Sequence, residues 1–195
     1  DGIAAAGRLA ALERRADPVP EPTAPGPGPQ GACLELREAS LRHRLGGPWA
    51  LRSVNLRLEP GRRVALIGES GAGKSSVAQA LLRFRDLEEG TYLAGGVDVR
   101  TLRGADVRRL VGMAAEEAFL IPGTLADNLL VGRPGAGTAE VAEVLRAARL
   151  DAWVAALPAG LATVVGPGGA SLSGGERRRL SLARALLAGF PILIA

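Results

Sequence analysis

The chain has 195 residues, 47% of them apolar, and it carries a net charge of +4 at pH 7. This length suits one domain, with or without appendages, and the apolar share is large enough for a core. Basic residues are spread along the chain and aromatic residues make up only 3% of it, so the composition argues against nucleic-acid binding.

Three features of the sequence bear on where the protein works. No apolar stretch approaches the roughly 20 residues that cross a bilayer, so membrane association has to come from other sequence or from a partner. The one cysteine, Cys33, cannot form an internal disulfide and fits a reducing compartment. The chain begins at Asp1 and its one methionine is Met113, so we expect it to be a piece of a longer protein.

The first 32 residues differ in character from the rest. Residues 3 to 15 have the apolar spacing and the charged finish of a helix end, whereas residues 17 to 31 contain six prolines. Proline removes amide donors and fixes the backbone, which excludes helix and central strand. We therefore expect residues 1 to 32 to be a helix end and an extended linker that join the domain to something before it.

Residues 33 to 195 have the pattern of an α/β domain, beginning with two strands. Segments 33 to 38 and 52 to 58 alternate apolar and polar residues, as strands with one solvated face do. Glycine and proline at residues 46 to 48 mark the turn between them. The sequence therefore predicts an antiparallel region at the start of the domain.

A glycine-rich loop follows in a strand-to-helix context. An apolar run from Arg63 to Ile67 predicts a strand, and the apolar spacing from Lys74 to Phe84 predicts a helix. Between them, residues 68 to 75 (GESGAGKS) satisfy the G-x-x-x-x-G-K-[ST] pattern of phosphate-binding loops. A chance match in a chain of this size is expected well under about one time in a hundred.

The chemistry of each position explains the loop. Glycines let the backbone adopt positive dihedral angles and bring its amides close to phosphate oxygens, toward which the positive end of the next helix also points. Lys74, the one lysine of the chain, should reach the β- and γ-phosphates, and the Ser75 hydroxyl should ligate Mg²⁺. A glycine-rich turn with an incidental lysine is the alternative. The residues predicted to hold the nucleotide here are Gly68, Glu69, Ser70, Gly71, Ala72, Gly73, Lys74, Ser75 and Ser76.

The last third of the chain predicts two helical regions and a strand. Residues 138 to 157 have helical spacing after a capping Thr138, and Ser173 to Leu187 is again helical. Ile192 to Ala195 is apolar, as a buried parallel strand would be, and we expect that strand to be cut short.

The start of the second helix is chemically specified. Residues 172 to 176 read LSGGE, in which Ser173 and Glu176 have the spacing of a capping box. Gly174 and Gly175 are poor helix formers in a first turn, which indicates that something approaches the backbone closely. An anion is the expected visitor, and a capped helix with a flexible start is the alternative.

The two motifs together carry a resemblance to a known family. GESGAGKS is similar to the Walker A motif of ABC ATPases, and LSGGE followed by RRRLSLARALL is similar to their signature motif. The resemblance covers residues 33 to 195 and implies an α/β, ABC-type P-loop NTPase fold with an antiparallel β region and a helical insertion from about 116 to 165. It implies ATP and Mg²⁺ as cofactors. Two such domains pair head to tail in this family, and the residues implied to contact the partner's nucleotide are Leu172, Ser173, Gly174, Gly175 and Glu176.

Further segments resemble exporters whose ATP-binding domain is fused behind a membrane domain, namely residues 123 to 134 and 157 to 187. This resemblance implies a membrane domain upstream in the same chain and a second ABC half-transporter as partner, in a homodimer or a heterodimer. It also implies the cytoplasmic face of the cell membrane and no nucleic-acid partner. Residues 95 to 113 and 151 to 161 look most like the thiol-reductant (cysteine/glutathione) exporters of cytochrome bd assembly.

The sequence departs from the family pattern at three positions. His43 stands where an aromatic residue usually stacks on adenine, and an ordinary surface histidine is the alternative. Glu116 stands where a glutamine near Mg²⁺ is usual, so with Lys74 it is a candidate catalytic group and with Ser75 a candidate metal ligand. A solvated acidic pair with Glu117 is the alternative there. Pro167 replaces a glutamate in the loop that senses the partner.

The family's Walker B aspartate and catalytic glutamate should follow Ala195. We therefore expect these 195 residues to bind ATP but to hydrolyse it no faster than background, whereas the intact protein would couple hydrolysis to export. A non-hydrolysing regulatory subunit is one alternative, suggested by Glu116 and Pro167. A soluble ABC ATPase acting on nucleic acid is another, suggested only by charge.

Overall fold

The computed structural model describes residues 19–44, 46–115, 119–166 and 172–195. Contacts between α-carbons divide the chain into two compact units, Asp1–Val107 and Arg108–Ala195. No helix within the described ranges is both long enough and apolar enough to cross a membrane. The helix end predicted at residues 3 to 15 lies outside the described residues.

An antiparallel sheet lies in the first unit. Its strands are β1 (Leu34–Arg42), β2 (Trp49–Leu58), β3 (Glu89–Ala94) and β4 (Val97–Asp98). They are hydrogen-bonded in the order β2, β1, β3, β4. The two strands predicted at the start of the domain are confirmed, and so is the turn between them, although both strands are longer than predicted.

A bulge explains why the sequence pattern ended β1 too early. The alternation that buries Leu34 and Leu36 stops after residue 36, where the pairing with β2 shifts register. Glu38 takes a positive φ of 48° there, and its amide donates to the Asn55 side chain at 2.9 Å. Beyond the bulge the phase resets and Leu41 is buried, so the strand continues to Arg42.

Helix α1 (Lys74–Leu81) follows the glycine loop, as predicted, but ends three residues earlier than the apolar spacing indicated. Its inner face buries Val77 and Ala80. The Tyr92 hydroxyl on β3 donates to the Leu81 carbonyl at 2.7 Å, which satisfies an acceptor in the last turn of the helix. The helix that begins at the loop is therefore tied to the sheet at its far end.

The other end of α1 is held by a close backbone approach at Gly73. This residue precedes the helix with φ +89°, the left-handed region that favours glycine. A Cβ on Gly73 would lie 2.6 Å from the Ala50 carbonyl oxygen on β2. Any side chain at this position would push the loop away from β2.

The strand predicted from Arg63 to Ile67 is wrong. Residues 62 to 69 form neither strand nor helix. Ile67 is 92% exposed and Val64 is 49% exposed. An apolar run becomes a strand only when another strand offers hydrogen-bond partners, and none of the described strands of its unit does so.

The proline-rich segment has the irregular backbone that was predicted, but it is anchored. The described part, residues 19 to 33, contains neither helix nor strand. The Gly26 amide donates to the Thr101 carbonyl at 2.8 Å. The Glu21 carboxylate accepts a hydrogen bond from the Gly104 amide at 3.1 Å. This segment therefore packs against its own unit, while the predicted division at residue 32 stays a prediction.

Helix α2 (Gly104–Leu110) crosses the division, and the second unit then combines short strands with helices. Its elements are β5 (Val111–Met113), β6 (Gly123–Thr124), α3 (Leu125–Leu130), α4 (Thr138–Ala147), α5 (Asp151–Ala156), β7 (Val164–Val165), α6 (Gly174–Ala188) and β8 (Ile192–Ile194). Strands β5 and β8 pair in parallel, which confirms the parallel strand predicted at the end of the sequence. Strands β6 and β7 pair antiparallel.

The helices of the second unit share one apolar core. Leu125 and Leu150 are among the side chains buried in it, with about 1% or less exposed. The helical region predicted from 138 to 157 is confirmed, although it is two helices. Thr138 is not the cap: Gly137 is, because the Glu140 carboxylate accepts from the Gly137 amide at 2.9 Å and stabilises the turn from inside the helix.

A polar network joins α3 and α6 within this unit. The Arg184 guanidinium on α6 donates to the backbone carbonyls of Asn128 and Phe119, each at 2.6 Å, and also to the Asn128 side chain. The Asn128 side chain, fully buried, in turn bonds both backbone groups of Ile121. Burial lowers the pKa of the Arg184 guanidinium. The network holds residues 119 to 121 against two helices.

We expect Tyr92→Phe to lower the free energy of unfolding by about 1 to 2 kcal/mol, because the Leu81 carbonyl loses its partner inside the core.

Burial also raises the pKa of Tyr92 above its usual 10.0. The unfolded chain then releases the phenol proton near that pH while the folded chain keeps it, so wild-type stability should fall as pH rises above about 10. Urea unfolding at about pH 8 and about pH 10.5 measures both effects, and Tyr92→Phe should lack the tyrosine component of the fall. An equal fall in both chains would contradict the assignment.

Gly73→Ala should destabilise the chain more than Gly71→Ala. Both glycines have positive φ, which costs alanine roughly 1 to 2 kcal/mol. Only at Gly73 does the added methyl meet the Ala50 carbonyl, since a Cβ on Gly71 has nothing within 4 Å. Overpacking should add about 1 to 3 kcal/mol at Gly73, as measured by urea unfolding. Equal losses for the two variants would show that the close approach to β2 is not a constraint.

Candidate functional site

A cavity of about 680 Å³ opens in the first unit beside the glycine loop. This volume lies in the range of small-molecule sites. The wall comes from the turn between β1 and β2 and from the loop with the first turn of α1. Its lining residues are His43, Arg44, Pro48, Trp49, Ala50, Ser70, Gly71, Gly73, Lys74, Ser75 and Ser76.

Six of the predicted phosphate-loop residues line this cavity, and Gly68, Glu69 and Ala72 belong to the same loop without lining it. The Lys74 ammonium donates to the Gly68 carbonyl at 2.8 Å and to the Glu69 carbonyl at 2.7 Å. The start of the loop is therefore hydrogen-bonded to the lysine side chain at its end. The only lysine of the chain therefore lies at the cavity, within reach of an incoming anion.

His43 reaches the cavity from the turn after β1. Its Nε2 lies 3.0 Å from the Ser76 hydroxyl oxygen, in the first turn of α1. Ser76 is buried, with 6% of its surface exposed, so the contact fixes the edge of the imidazole against the helix. The turn and the phosphate loop are thereby joined by a direct side-chain hydrogen bond.

Four cavity residues, Arg44, Pro48, Trp49 and Ala50, were not predicted from the sequence as site residues. Arg44 and Trp49 flank the turn between β1 and β2, and both line the cavity. The Arg42 guanidinium stacks over the Trp49 ring at 3.8 Å from its centroid, as cation–π pairs do. A tryptophan beside a glycine-rich turn in a chain with so few aromatic residues was the one sequence signal available.

The charge of the cavity suits a polyanion. Arg44 and Lys74 contribute cations, whereas no carboxylate among the described residues lines the wall. The described ranges hold no group of three or more histidine, cysteine, aspartate or glutamate side chains that could bind a metal. Ser75 offers one hydroxyl beside Lys74, which fits Mg²⁺ because this ion commonly takes one or two protein ligands together with substrate phosphates and water. Glu116, predicted as a second ligand, lies outside the described residues, as do Glu117 and Pro167.

The second predicted motif opens helix α6 in the second unit. The Ser173 hydroxyl accepts from the Glu176 amide at 3.3 Å, and the Glu176 carboxylate accepts from the Ser173 amide at 2.7 Å. The predicted capping box is therefore confirmed. Leu172 is buried as an anchor, whereas Ser173, Gly174 and Gly175 are exposed. The first turn of α6 thus presents its backbone to solvent.

Comparison with protein families matches residues 51–195 to the ABC transporter family. A solved structure of a bacterial Atm1-family ABC exporter with ATP bound superposes with a TM-score of 0.86 at 32% sequence identity. The match covers 96% of this chain and 33% of that chain.

Three relatives illustrate the range of similar proteins. The chain is 36% identical over 193 residues to a fatty acid ABC transporter ATP-binding/permease protein of Mycobacterium tuberculosis, covering 99% of this chain and 30% of that protein. It is 40% identical over 164 residues to a mycobactin import ATP-binding/permease protein of Mycolicibacterium thermoresistibile, covering 84% and 28%. It is 38% identical over 161 residues to an ATP-dependent lipid A-core flippase of Neisseria gonorrhoeae, covering 83% and 26%.

The chain spans 30% or less of the length of these three relatives. The similarity nevertheless extends over most of this chain and includes both motifs described above. By sequence, by fold and by its phosphate loop, the chain belongs to the ABC transporter family, as an ATP-binding domain.

Proposed function

We propose that the cavity beside residues 68 to 76 binds the triphosphate of MgATP, and that the chain is the nucleotide-binding part of an ABC exporter. The observation that carries this proposal is the position of Lys74, whose ammonium closes the glycine loop and lines a cavity of about 680 Å³. Family membership supports the identity of the ligand. If the lysine were incidental to a glycine-rich turn, no cavity of this size would be expected beside its ammonium.

Each part of the loop has a task toward the triphosphate. The amides around Gly71 and Gly73 would donate hydrogen bonds to phosphate oxygens, and the Lys74 ammonium would offset part of their charge, since charge-assisted hydrogen bonds to anions are the strong ones. The Ser75 hydroxyl would hold Mg²⁺, which would offset more of the negative charge of the triphosphate. Glu116 as a further metal ligand or catalytic group stays a prediction.

The open start of α6 supports a role in pairing. Its exposed glycines leave backbone amides accessible beside the Ser173 hydroxyl, which suits an anion brought by another molecule. We infer that this turn meets nucleotide held by a second ABC subunit, either a copy of the chain or a related half-transporter. Leu172 and Glu176 position the turn and need not touch the nucleotide.

Hydrolysis needs a general base for the attacking water. Among the described residues, no carboxylate lines the cavity. We expect the 195-residue chain to bind ATP and to turn it over at background rate. A regulatory subunit that binds without hydrolysing is the second candidate function, suggested by Glu116 and Pro167 at positions where the family has other residues.

The transport role extends the proposal to the whole protein. The relatives named above are described as ATP-binding/permease proteins for fatty acids and mycobactin and as a flippase for lipid A-core. This range, which includes an import protein, supports ATP-coupled movement of a cargo across a membrane without selecting one cargo or direction. Export from the cytoplasmic face stays a prediction. The thiol-reductant cargo stays a prediction, as does the fused membrane domain.

Lys74→Ala should weaken MgATP binding by about 10-fold to 100-fold, because the loop loses a charge-assisted contact worth roughly 1.5 to 3 kcal/mol. Folding should survive, since the lysine contacts removed are exposed ones. Calorimetric titration of the chain with MgATP measures the affinity, and circular dichroism checks the fold. Arg52→Ala is the matched control, because it removes one exposed positive charge from β2 outside the cavity. If both substitutions weakened MgATP binding equally, the loss of affinity would reflect net charge alone, and the assignment of Lys74 to the nucleotide site would be wrong.

Ser173→Ala should leave the ATP affinity of the monomer within about twofold and weaken ATP-dependent pairing. The substitution also removes a helix cap, which costs roughly 1 kcal/mol of stability. Sedimentation of the chain with and without MgATP, alone and with its partner subunit, measures pairing.

The control for Ser173→Ala is Thr124→Ala. Thr124 caps α3 through the same kind of box, with Asp127, so its loss should cost similar stability without touching pairing. A fall in pairing of equal size in both variants would assign the effect to helix stability. A loss of monomer ATP affinity as large as that of Lys74→Ala would contradict a role toward the partner's nucleotide.

A further inference from the structure

We propose that residues 19 to 33, the described part of the proline-rich segment, form a strap whose docking is coupled to the nucleotide cavity through the buried side chain of Arg83. MgATP in the cavity favours the docked strap, and the docked strap favours MgATP. This inference rests on the proposed function, since it requires a nucleotide at residues 68 to 76. It adds a regulatory contact that belongs to neither sequence motif.

The strap lies along the residues that lead into α2, and it runs in the opposite chain direction. The Gly26 amide donates to the Thr101 carbonyl at 2.8 Å. Further along, the Glu21 carboxylate accepts from the Gly104 amide through both of its oxygens, at 3.1 and 3.2 Å. Gly104 is the first residue of α2. The carboxylate of the strap therefore holds the amide at which this helix begins.

The strap is attached by hydrogen bonds and has no buried core. None of residues 19 to 33 is buried. Segments with little buried surface open locally at low free energy, while the rest of the fold stays intact. The six prolines between residues 17 and 31 stiffen the segment, which lowers the entropy that docking costs. Docked and released straps are therefore both accessible to the folded chain.

Arg83 connects the nucleotide helix to the same stretch of backbone. Helix α1 runs from Lys74 to Leu81, so Arg83 lies two residues past its end. The Arg83 Nη1 atom donates to the Leu102 carbonyl at 2.5 Å. Leu102 precedes Gly104 by two residues. The helix that begins in the phosphate loop and the strap thus hold adjacent parts of one short segment, and all of these contacts lie within the first unit.

The conformation of Arg83 shows that this contact is closely constrained. The residue is 1% exposed and its φ is 50°, in the left-handed region that side chains other than glycine seldom adopt. A residue persists in such a conformation when its surroundings fix it. A buried guanidinium also needs a counter-charge, and the Asp86 carboxylate lies 2.9 Å from the Arg83 Nε atom. A displacement at the end of α1 should therefore be passed to Leu102.

Order at the cavity should favour order at the strap. A triphosphate that engages Lys74 and Ser75 restrains the first turn of α1, and a ligand that orders part of a chain lowers the cost of ordering what is packed on it. Restraint of α1 should hold residues 102 to 104 in place, so that the Gly104 amide stays directed at Glu21. Coupling between two binding events is reciprocal, so loss of the Glu21 contact should weaken MgATP binding.

The first experiment measures MgATP affinity by calorimetric titration of the chain. Glu21→Ala should weaken binding roughly 5-fold, a common size for coupling between two sites. Removing a negative charge by itself would favour an anion, so charge alone predicts the opposite sign. Glu21→Gln removes the same charge but keeps an acceptor oxygen for the Gly104 amide, and its affinity should stay within about twofold of wild type.

The matched control for charge is Glu143→Ala. Glu143 is an exposed residue of α4 in the second unit, so its removal changes the net charge by the same amount without touching the strap. Its MgATP affinity should stay within about twofold of wild type, because the charge of an exposed side chain is screened by salt. Circular dichroism checks that each variant is folded.

The second experiment follows hydrogen exchange in the wild-type chain by NMR, with and without saturating MgATP. Exchange of the Gly26 and Gly104 amides and of the Arg83 Nε–H should slow by roughly the coupling factor found by calorimetry. The Gly189 amide, which donates to the Leu186 carbonyl after α6, is the control and should not change. General stabilisation of the chain by the ligand would slow all four protons.

The third experiment tests the route through Arg83. Arg83→Met keeps a long buried side chain but removes the donor to the Leu102 carbonyl. In this background Glu21→Ala should have no further effect on MgATP affinity, which a double-mutant cycle measures. If Arg83→Met does not fold, the response of the Arg83 Nε–H in the wild-type chain decides whether the route includes this residue.

Each contrary result has one meaning. If Glu21→Ala binds MgATP as tightly as wild type, or if exchange at Gly26 and Gly104 ignores the ligand, the strap is not coupled to the cavity and the inference is wrong. If Glu21→Ala weakens binding equally in the Arg83→Met background, the coupling does not pass through Arg83, and the proposal is also wrong. If the wild-type chain does not bind MgATP, the proposed function is overturned, and this inference with it.

Discussion

The absence of a side chain at Gly73 is the constraint on which the site depends. Because nothing projects from this residue toward β2, the phosphate loop can lie directly against the Ala50 carbonyl. The turn that carries His43 and Trp49 ends at the same place, so groups suited to phosphate and groups suited to a base share one wall. The Tyr92 hydroxyl fixes the other end of α1 to the sheet. A helix held at both ends keeps the loop in register with the turn.

The two units present their motifs in different ways. In the first, the loop, the turn and the helix enclose a cavity that holds cations and, within the described residues, no carboxylate. In the second, Ser173 and Glu176 close a capping box on each other and leave the glycines between them uncovered. A cavity lined by several polar groups can bind a ligand without help from another molecule, whereas an exposed helix start suits a ligand that is already bound elsewhere. The chemistry of each motif follows from this difference in exposure.

Features that depend on residues close in sequence were predicted correctly. Features that depend on residues distant in sequence were not. The loop, α1 and the capping box depend on neighbours within a few residues, so the sequence pattern was sufficient for them. The run from Arg63 to Ile67 has the composition of a strand, but a strand also needs a partner, which composition cannot supply. Trp49 was missed for a related reason, since its contact with Arg42 exists only after the turn closes. Gly137 and not Thr138 is the cap because the Glu140 carboxylate, one turn later, accepts a hydrogen bond from the Gly137 amide.

The two carbonyl contacts of Lys74 decide how much of its ammonium an anion can use. Two of its three N–H donors are directed to the Gly68 and Glu69 oxygens, so one donor is left for an anion while the loop keeps its shape. A singly charged ion such as chloride gains little from one such contact at an exposed site. A chain of phosphates gains more, because it can engage the lysine, the loop amides and the Ser75 hydroxyl together. The loop thus filters anions by how many of its groups they can occupy at once.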